Sequence, residues 1–207
     1  MSQLPPNLPP TSFMTKKEIF HEFYSAGALL EGHFLLSSGL HSEHYIQCAR
    51  VMMSARRCER LCSALAVNIY SNLPNAKIDR IVAPAMGGIL VGYELGRQMN
   101  VLSVFVERVK GEFRLRRGFD IPPGSNCLVV EDVITTGGSA REAIATVEEQ
   151  GGRVEGVACL VDRSGGDVYL GVKLIPLITF NVPTYRPENL PPHLAARKPV
   201  RLGSRSL

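Results

Sequence analysis

Residues 127–150 read CLVVEDVITTGGSAREAIATVEEQ. An apolar run over 127–130, of strand length, ends in two adjacent carboxylates, Glu131 and Asp132. Val133 and Ile134 follow, then two threonines, two glycines and Ser139. From residue 141 the apolar spacing is helical, and Gly151-Gly152 is a stop signal at residue 150. This strand–loop–helix unit recurs. Residues 81–83 form an apolar run, Pro84-Ala85-Met86-Gly87-Gly88 a turn, and 89–99 a helical pattern. Further strands are expected over 102–106 and 157–161, the last ending at Asp162-Arg163. Strands that alternate with helices pair in parallel and need helices on both faces. The expected fold is therefore α/β, a parallel sheet flanked by helices.

The segments before the sheet are less regular. Thr15-Lys16-Lys17-Glu18 fits a capping box, followed by Ile19, Phe20, Phe23 and Tyr24 at helical spacing, so a helix should end near Gly27 or Gly32. Residues 33–53 suggest a small irregular or hairpin element. Ser54 can cap a helix with Cys58, Leu61, Cys62, Leu65 and Ile69 on one face. The expected layout is a proline-rich, poorly ordered arm over 1–14 and one domain over 15–190. Its first part, up to about residue 55, forms a small N-terminal hood or flap, and a basic tail runs over 191–207.

Composition excludes several classes. Of 207 residues, 45% are hydrophobic and 20% charged, which suits a globular domain. No apolar run is long enough to span a membrane, and the N-terminal residues lack the pattern of a signal peptide. The formal net charge is +4, and Arg197, Lys198, Arg201 and Arg205 of the tail account for it. A solvated, frayed terminus is expected there rather than a nucleic-acid surface. The five cysteines include no CxxC pair and fall on apolar stripes, so reduced structural thiols and a cytoplasmic location are expected.

Ligands of such sheets sit beyond the carboxyl ends of the strands, where the turns 84–88 and 131–139 and Asp162-Arg163 should converge. In TTGGS, glycines let backbone N–H groups approach a ligand, hydroxyls add donors, and the next helix points its N-terminus at the same spot. That is a phosphate cradle, without the lysine of a Walker A loop. Two neighbouring carboxylates need a hydroxylic or cationic partner, such as a ribose diol or hydrated Mg²⁺. The whole suits a phosphorylated ribose: acids on the 2′- and 3′-hydroxyls, loop on the 5′-phosphate.

The run CLVVEDVITTGGS resembles the phosphoribosyl-pyrophosphate (PRPP) signature of type I phosphoribosyltransferases. Over about residues 15–180 the chain is similar to the orotate phosphoribosyltransferases among them. FLLSSGLHS followed by Tyr45 resembles their base-binding segment, APAMGG their pyrophosphate loop, and the basic stretch 107–119 their mobile catalytic loop. The resemblance implies that PRPP meets Glu131, Asp132, Val133, Ile134, Thr135, Thr136, Gly137, Gly138 and Ser139, with Met86, Gly87 and Gly88. Orotate would meet Thr135, Arg163, Ser38, Gly39 and Tyr45, Arg163 pairing with its carboxylate. Glu131, Asp132, Arg108 and Lys110 would be catalytic. It further implies orotidine 5′-monophosphate and pyrophosphate as products, within pyrimidine biosynthesis. Mg²⁺ would be held mainly by the diphosphate, and a homodimer would carry each catalytic loop to the partner subunit's site. No nucleic acid or membrane partner is implied. This chain departs from the family by Ser37, where many relatives have lysine, by Gly87, where some have lysine, and by arginines in the loop. The rival expectations are a purine phosphoribosyltransferase and a PRPP-sensing transcriptional regulator.

Overall fold

The structure is a computed structural model that describes residues 13–36 and 38–202. Most of the expected arm, Ser37 and Arg205 lie outside the described residues.

Helix α1 (Lys16–Ser25) begins with the expected capping box: Thr15 accepts from the Glu18 N–H at 3.3 Å, and the Glu18 carboxylate accepts from the Thr15 N–H at 2.8 Å. It ends before Gly27, whose φ of 62° only glycine adopts without strain. Strands β1 (Leu29–Leu35) and β2 (His41–Ile46) pair as an antiparallel hairpin, and the short α2 (Cys48–Met52) follows. Ser54 caps α3 (Ala55–Asn72), which buries the five residues of the expected stripe.

The core then alternates as expected: β3 (Arg80–Pro84), α4 (Gly88–Met99), β4 (Leu102–Val109), β5 (Glu112–Leu115), β6 (Asn126–Ile134), α5 (Gly138–Glu149), β7 (Arg153–Asp162) and β8 (Leu174–Thr179). The six-stranded sheet runs β5-β4-β3-β6-β7-β8, parallel except for β5. Along β6 the faces alternate. Leu128 and Val130 pack with α3 and α4, while Cys127 and Val129 pack with Ala140, Ala143 and Val147 of α5. A strand covered on both faces reads as an unbroken apolar run, which is why 127–130 stood out. From β3 the chain moves one way to β4, and from β6 the other way to β7. The order therefore switches between β3 and β6, and a crevice opens at their carboxyl ends.

Four expectations need correction. Strand β6 continues through Glu131 and Asp132 to Ile134, so the acids belong to the strand rather than following it. The start of the basic stretch 107–119 is a β-hairpin, not a loop. Lys110 and Gly111, at φ 51° and 91°, make the tight two-residue turn that joins β4 to β5. Strand β8 had no counterpart in the sequence reading. It lies at the sheet edge, where Pro176 is tolerated.

The fourth correction concerns the tail. Strand β9 (Thr184–Tyr185) joins β2 as the third strand of the small sheet. A 3₁₀ turn (Pro187–Asn189) and α6 (Pro192–Ala195) follow, with Leu194 buried. Val200 then pairs in parallel with Phe34 of β1. Its N–H donates to the His33 carbonyl at 2.7 Å, and its carbonyl accepts from the Leu35 N–H at 3.0 Å. His33 Nδ1 bonds the Arg197 carbonyl at 2.7 Å, and His33 Nε2 faces His41 Nδ1. The tail up to residue 202 is thus part of the hood, not a frayed end.

Candidate active site

A cleft of about 800 Å³ lies at the switch point, between the hood and the carboxyl ends of β3, β6 and β7. Its floor is the end of β6. Successive strand side chains point to opposite faces, which separates Glu131 from Asp132, yet at the strand's end both reach the cleft. Glu131 is buried. Asp132 Oδ1 accepts from the Val133 N–H at 2.9 Å. Burial pushes the Asp132 carboxyl above its ordinary value, against the pull of that N–H.

Residues 135–139 form the expected cradle. Thr135 and Ser139 face the main cleft, and Ile134, Thr136, Gly137 and Gly138 border a smaller concavity beside it. Gly137 has φ 72°, and a Cβ there would lie 2.5 Å from Val168 Cγ2, so the turn accepts only glycine. The side chain of Ile134 belongs to the core, which leaves its backbone as its only route to a ligand.

The turn after β3 supplies the opposite wall. Met86 and Gly87 line the cleft, whereas Gly88 is buried as the first residue of α4, where a Cβ would lie 2.8 Å from the Val130 carbonyl. Gly87 matters for another reason. A Cβ on it would sit 2.6 Å from Asp132 Oδ1, so the absent side chain is what admits the carboxylate.

Arg163 follows β7, and its N–H donates to the Ile134 carbonyl at 2.8 Å. Asp162 does not pair with it, because its Oδ1 accepts from the Ser164 N–H. The Arg163 Nε is buried and finds no hydrogen-bond partner among the described residues. Burial lowers the guanidinium from its ordinary value, countered by Tyr45 and Cys48. The Tyr45 hydroxyl is pushed up by burial and then by the Asp132 charge. A buried donor without a partner is unfavourable unless a ligand satisfies it. Ser38 and Tyr45 of the hood share this wall.

Three further expected residues line neither the cleft nor the concavity beside it. Gly39 completes the β1–β2 turn at φ 82° without lining it. Arg108 and Lys110 sit on the β4–β5 hairpin, where Arg108 pairs with Glu142 of α5 at 2.7 Å and stacks on Phe113. Between Arg108 and Arg117 the sequence holds one acid, Glu112. Folding adds Glu142 and also Glu107, which pairs with Arg116 and Arg117. Conversely, Arg201 and Leu202 line the cleft and were missed, because nothing local marks a terminal arginine as part of a site.

Residues 53–169 match the model of the phosphoribosyl transferase domain. An orotate phosphoribosyltransferase of Novosphingobium aromaticivorans is 54% identical over 193 residues, which is 93% of this chain and 99% of that protein. That of Rhizorhabdus wittichii is 53% identical over 93% of this chain and 98% of its own length. Among solved structures, an orotate phosphoribosyltransferase from Aeropyrum pernix superposes with a TM-score of 0.65 at 27% identity, covering 78% of this chain and 93% of that one. With the PRPP-type cradle in place and relatives aligned along nearly their whole length, the chain belongs to the orotate phosphoribosyltransferases, of the type I phosphoribosyltransferase fold.

Proposed function

We propose that the protein transfers the 5-phosphoribosyl group from PRPP to orotate, giving orotidine 5′-monophosphate and pyrophosphate for pyrimidine biosynthesis. The observation that carries this reading is the unsatisfied Nε of Arg163, buried in the same cleft as the acid pair and the phosphate cradle. Orotate is a planar anion whose carboxylate fits the fork of a guanidinium. A purine has no carboxylate and would leave that donor unpaired, so the purine alternative is the weaker one.

In the reaction the orotate ring nitrogen attacks the anomeric carbon while the bond from that carbon to the diphosphate oxygen breaks. Positive charge grows on the ribose carbon, near Glu131 and Asp132, which also orient the diol. The cradle at 135–139 holds the 5′-phosphate, and Arg163 fixes the base so that its nitrogen faces the sugar. The hood limits access of water, which would hydrolyse PRPP.

Mg²⁺ fits the donor set. Among the described residues no three His, Cys, Asp or Glu side chains cluster to hold an ion. Glu131 and Asp132 offer carboxylates, and PRPP brings phosphate and hydroxyl oxygens, the mixed set that Mg²⁺ favours. When bound, Mg²⁺ neutralises charge on the leaving diphosphate.

The reading includes a homodimer in which each β4–β5 hairpin serves the partner's site. Lys110 lies exposed at the hairpin tip and outside its own chain's cleft, which supports that placement. The location proposed is the cytoplasm, in keeping with five free, buried cysteines. No helix among the described residues is long and apolar enough to cross a membrane. The test is an ultraviolet turnover assay with PRPP and a panel of nucleobases. Consumption of orotate with release of pyrophosphate is expected. Turnover of a purine alone, or of none, would refute the reading.

A further inference from the structure

We infer that Arg201, carried into the cleft by the C-terminal segment, is a substrate-binding residue that contacts the diphosphate of PRPP. The inference rests on the proposed reaction and deepens it. Among the described residues that line the cleft, the cations are Arg163 and Arg201, against the carboxylates Glu131 and Asp132. PRPP adds several negative charges to that balance. Arg163 is the match for the base, which leaves Arg201 as the cleft cation of this chain free to meet the diphosphate beside Mg²⁺.

Within its own chain the other described cations do not reach this cleft, and Lys110 of the hairpin is assigned to the partner's site. Arg108 is paired with Glu142 of α5, Arg114 with Glu112, and Arg116 and Arg117 with Glu107. Position 87, in the turn facing the acids, has no room even for a methyl group beside Asp132. Arg201 is exposed and takes no part in the ion pairs of the described residues.

Its placement is built, not incidental. Val200 is hydrogen-bonded on both sides to β1, and the Arg197 carbonyl is bound by the buried His33. Leu194 is buried, and His193 pairs with Glu43 at 2.9 Å. These contacts fix the register, so the next residue after Val200 emerges at the cleft beside Leu36 and Ser38 of the hood. An arginine there offers a planar array of donors suited to phosphate oxygens.

The test compares wild type with full-length Arg201→Ala and Arg201→Lys in steady-state kinetics, with pyrophosphate as product inhibitor. Arg201→Ala should raise the KM for PRPP and the inhibition constant for pyrophosphate together, each about tenfold, the loss of one charge-assisted contact. The KM for orotate should stay within about twofold, and Arg201→Lys should recover part of the loss by restoring a point charge. A merely structural role would not single out pyrophosphate. An unchanged pyrophosphate constant, or a rise confined to orotate, overturns the inference. A wild-type enzyme that fails to turn over orotate with PRPP would instead refute the reaction itself. The backbone of Val200 makes the strand contacts, so either variant should fold, and equal melting temperatures would show it.

Discussion

Asp132 is a carboxylate whose burial works against its own ionisation. Its folded pKa lies above the unfolded one, so the proton is held more tightly in the folded state. The stabilising share is complete below the unfolded value and lost as pH rises through the folded one. At neutral pH the charged group therefore weakens the free protein. Asp132→Asn keeps the shape and the acceptor for the Val133 N–H. It should raise the melting temperature at pH 7, with a smaller gain near pH 3.5, while PRPP turnover falls. Melts at both pH values check it, and a lower melting temperature at pH 7 would contradict the sign. Gly87→Ala attacks the same carboxylate by size. A Cβ 2.6 Å from Oδ1 forces a shift costing about 1–3 kcal/mol, seen as a higher KM for PRPP and a lower melting temperature. Arg163→Ala should weaken orotate use by about 2–5 kcal/mol, the range for losing one side of a desolvated charge pair, with little change in the KM for PRPP.

Among the elements, those with a local physical signature were legible in the sequence. The capping box at Thr15, the Ser54 cap and the apolar stripe of α3 each depend on residues within a turn or two of one another. The double-sided burial of β6 wrote itself as an apolar run, and the phosphate cradle as glycines and hydroxyls. Elements that depend on distant partners were not legible. Strand β9 has only two residues and exists because β2 offers an edge. Arg201 reaches the site because Val200 meets Phe34, a pairing that no local pattern encodes. The hairpin was read as a mobile loop because the resemblance and its clustered cations suggested one, whereas Glu107 and Glu142 gather those side chains. Its tip gives a prediction at this scale. Lys110→Ala and Asp132→Asn, each expected to be nearly inactive, are unfolded, mixed equally and refolded. With random pairing, about half the dimers are mixed, and each has one site with both residues intact. Activity should recover to roughly a quarter of wild type. No recovery, in a mixture shown to contain heterodimers, would assign the hairpin to its own subunit.

For the whole molecule, metal and stability should separate. Among the described residues no three His, Cys, Asp or Glu side chains gather as an ion site. A chelator should abolish turnover while leaving the melting temperature of the ligand-free protein unchanged, and excess Mg²⁺ should restore activity. A large fall in melting temperature would reveal a structural ion. The closure of the small sheet by the last segment also sets a timetable for synthesis. Ser42 of the hood waits for the Pro183 carbonyl, 141 residues later in the chain. At about 5–20 residues per second, that partner leaves the ribosome on the order of 10 s after the hairpin is made. The half-built hood is a long-lived edge in the nascent chain, and the site becomes complete only once the segment that carries Pro183 and Val200 has emerged.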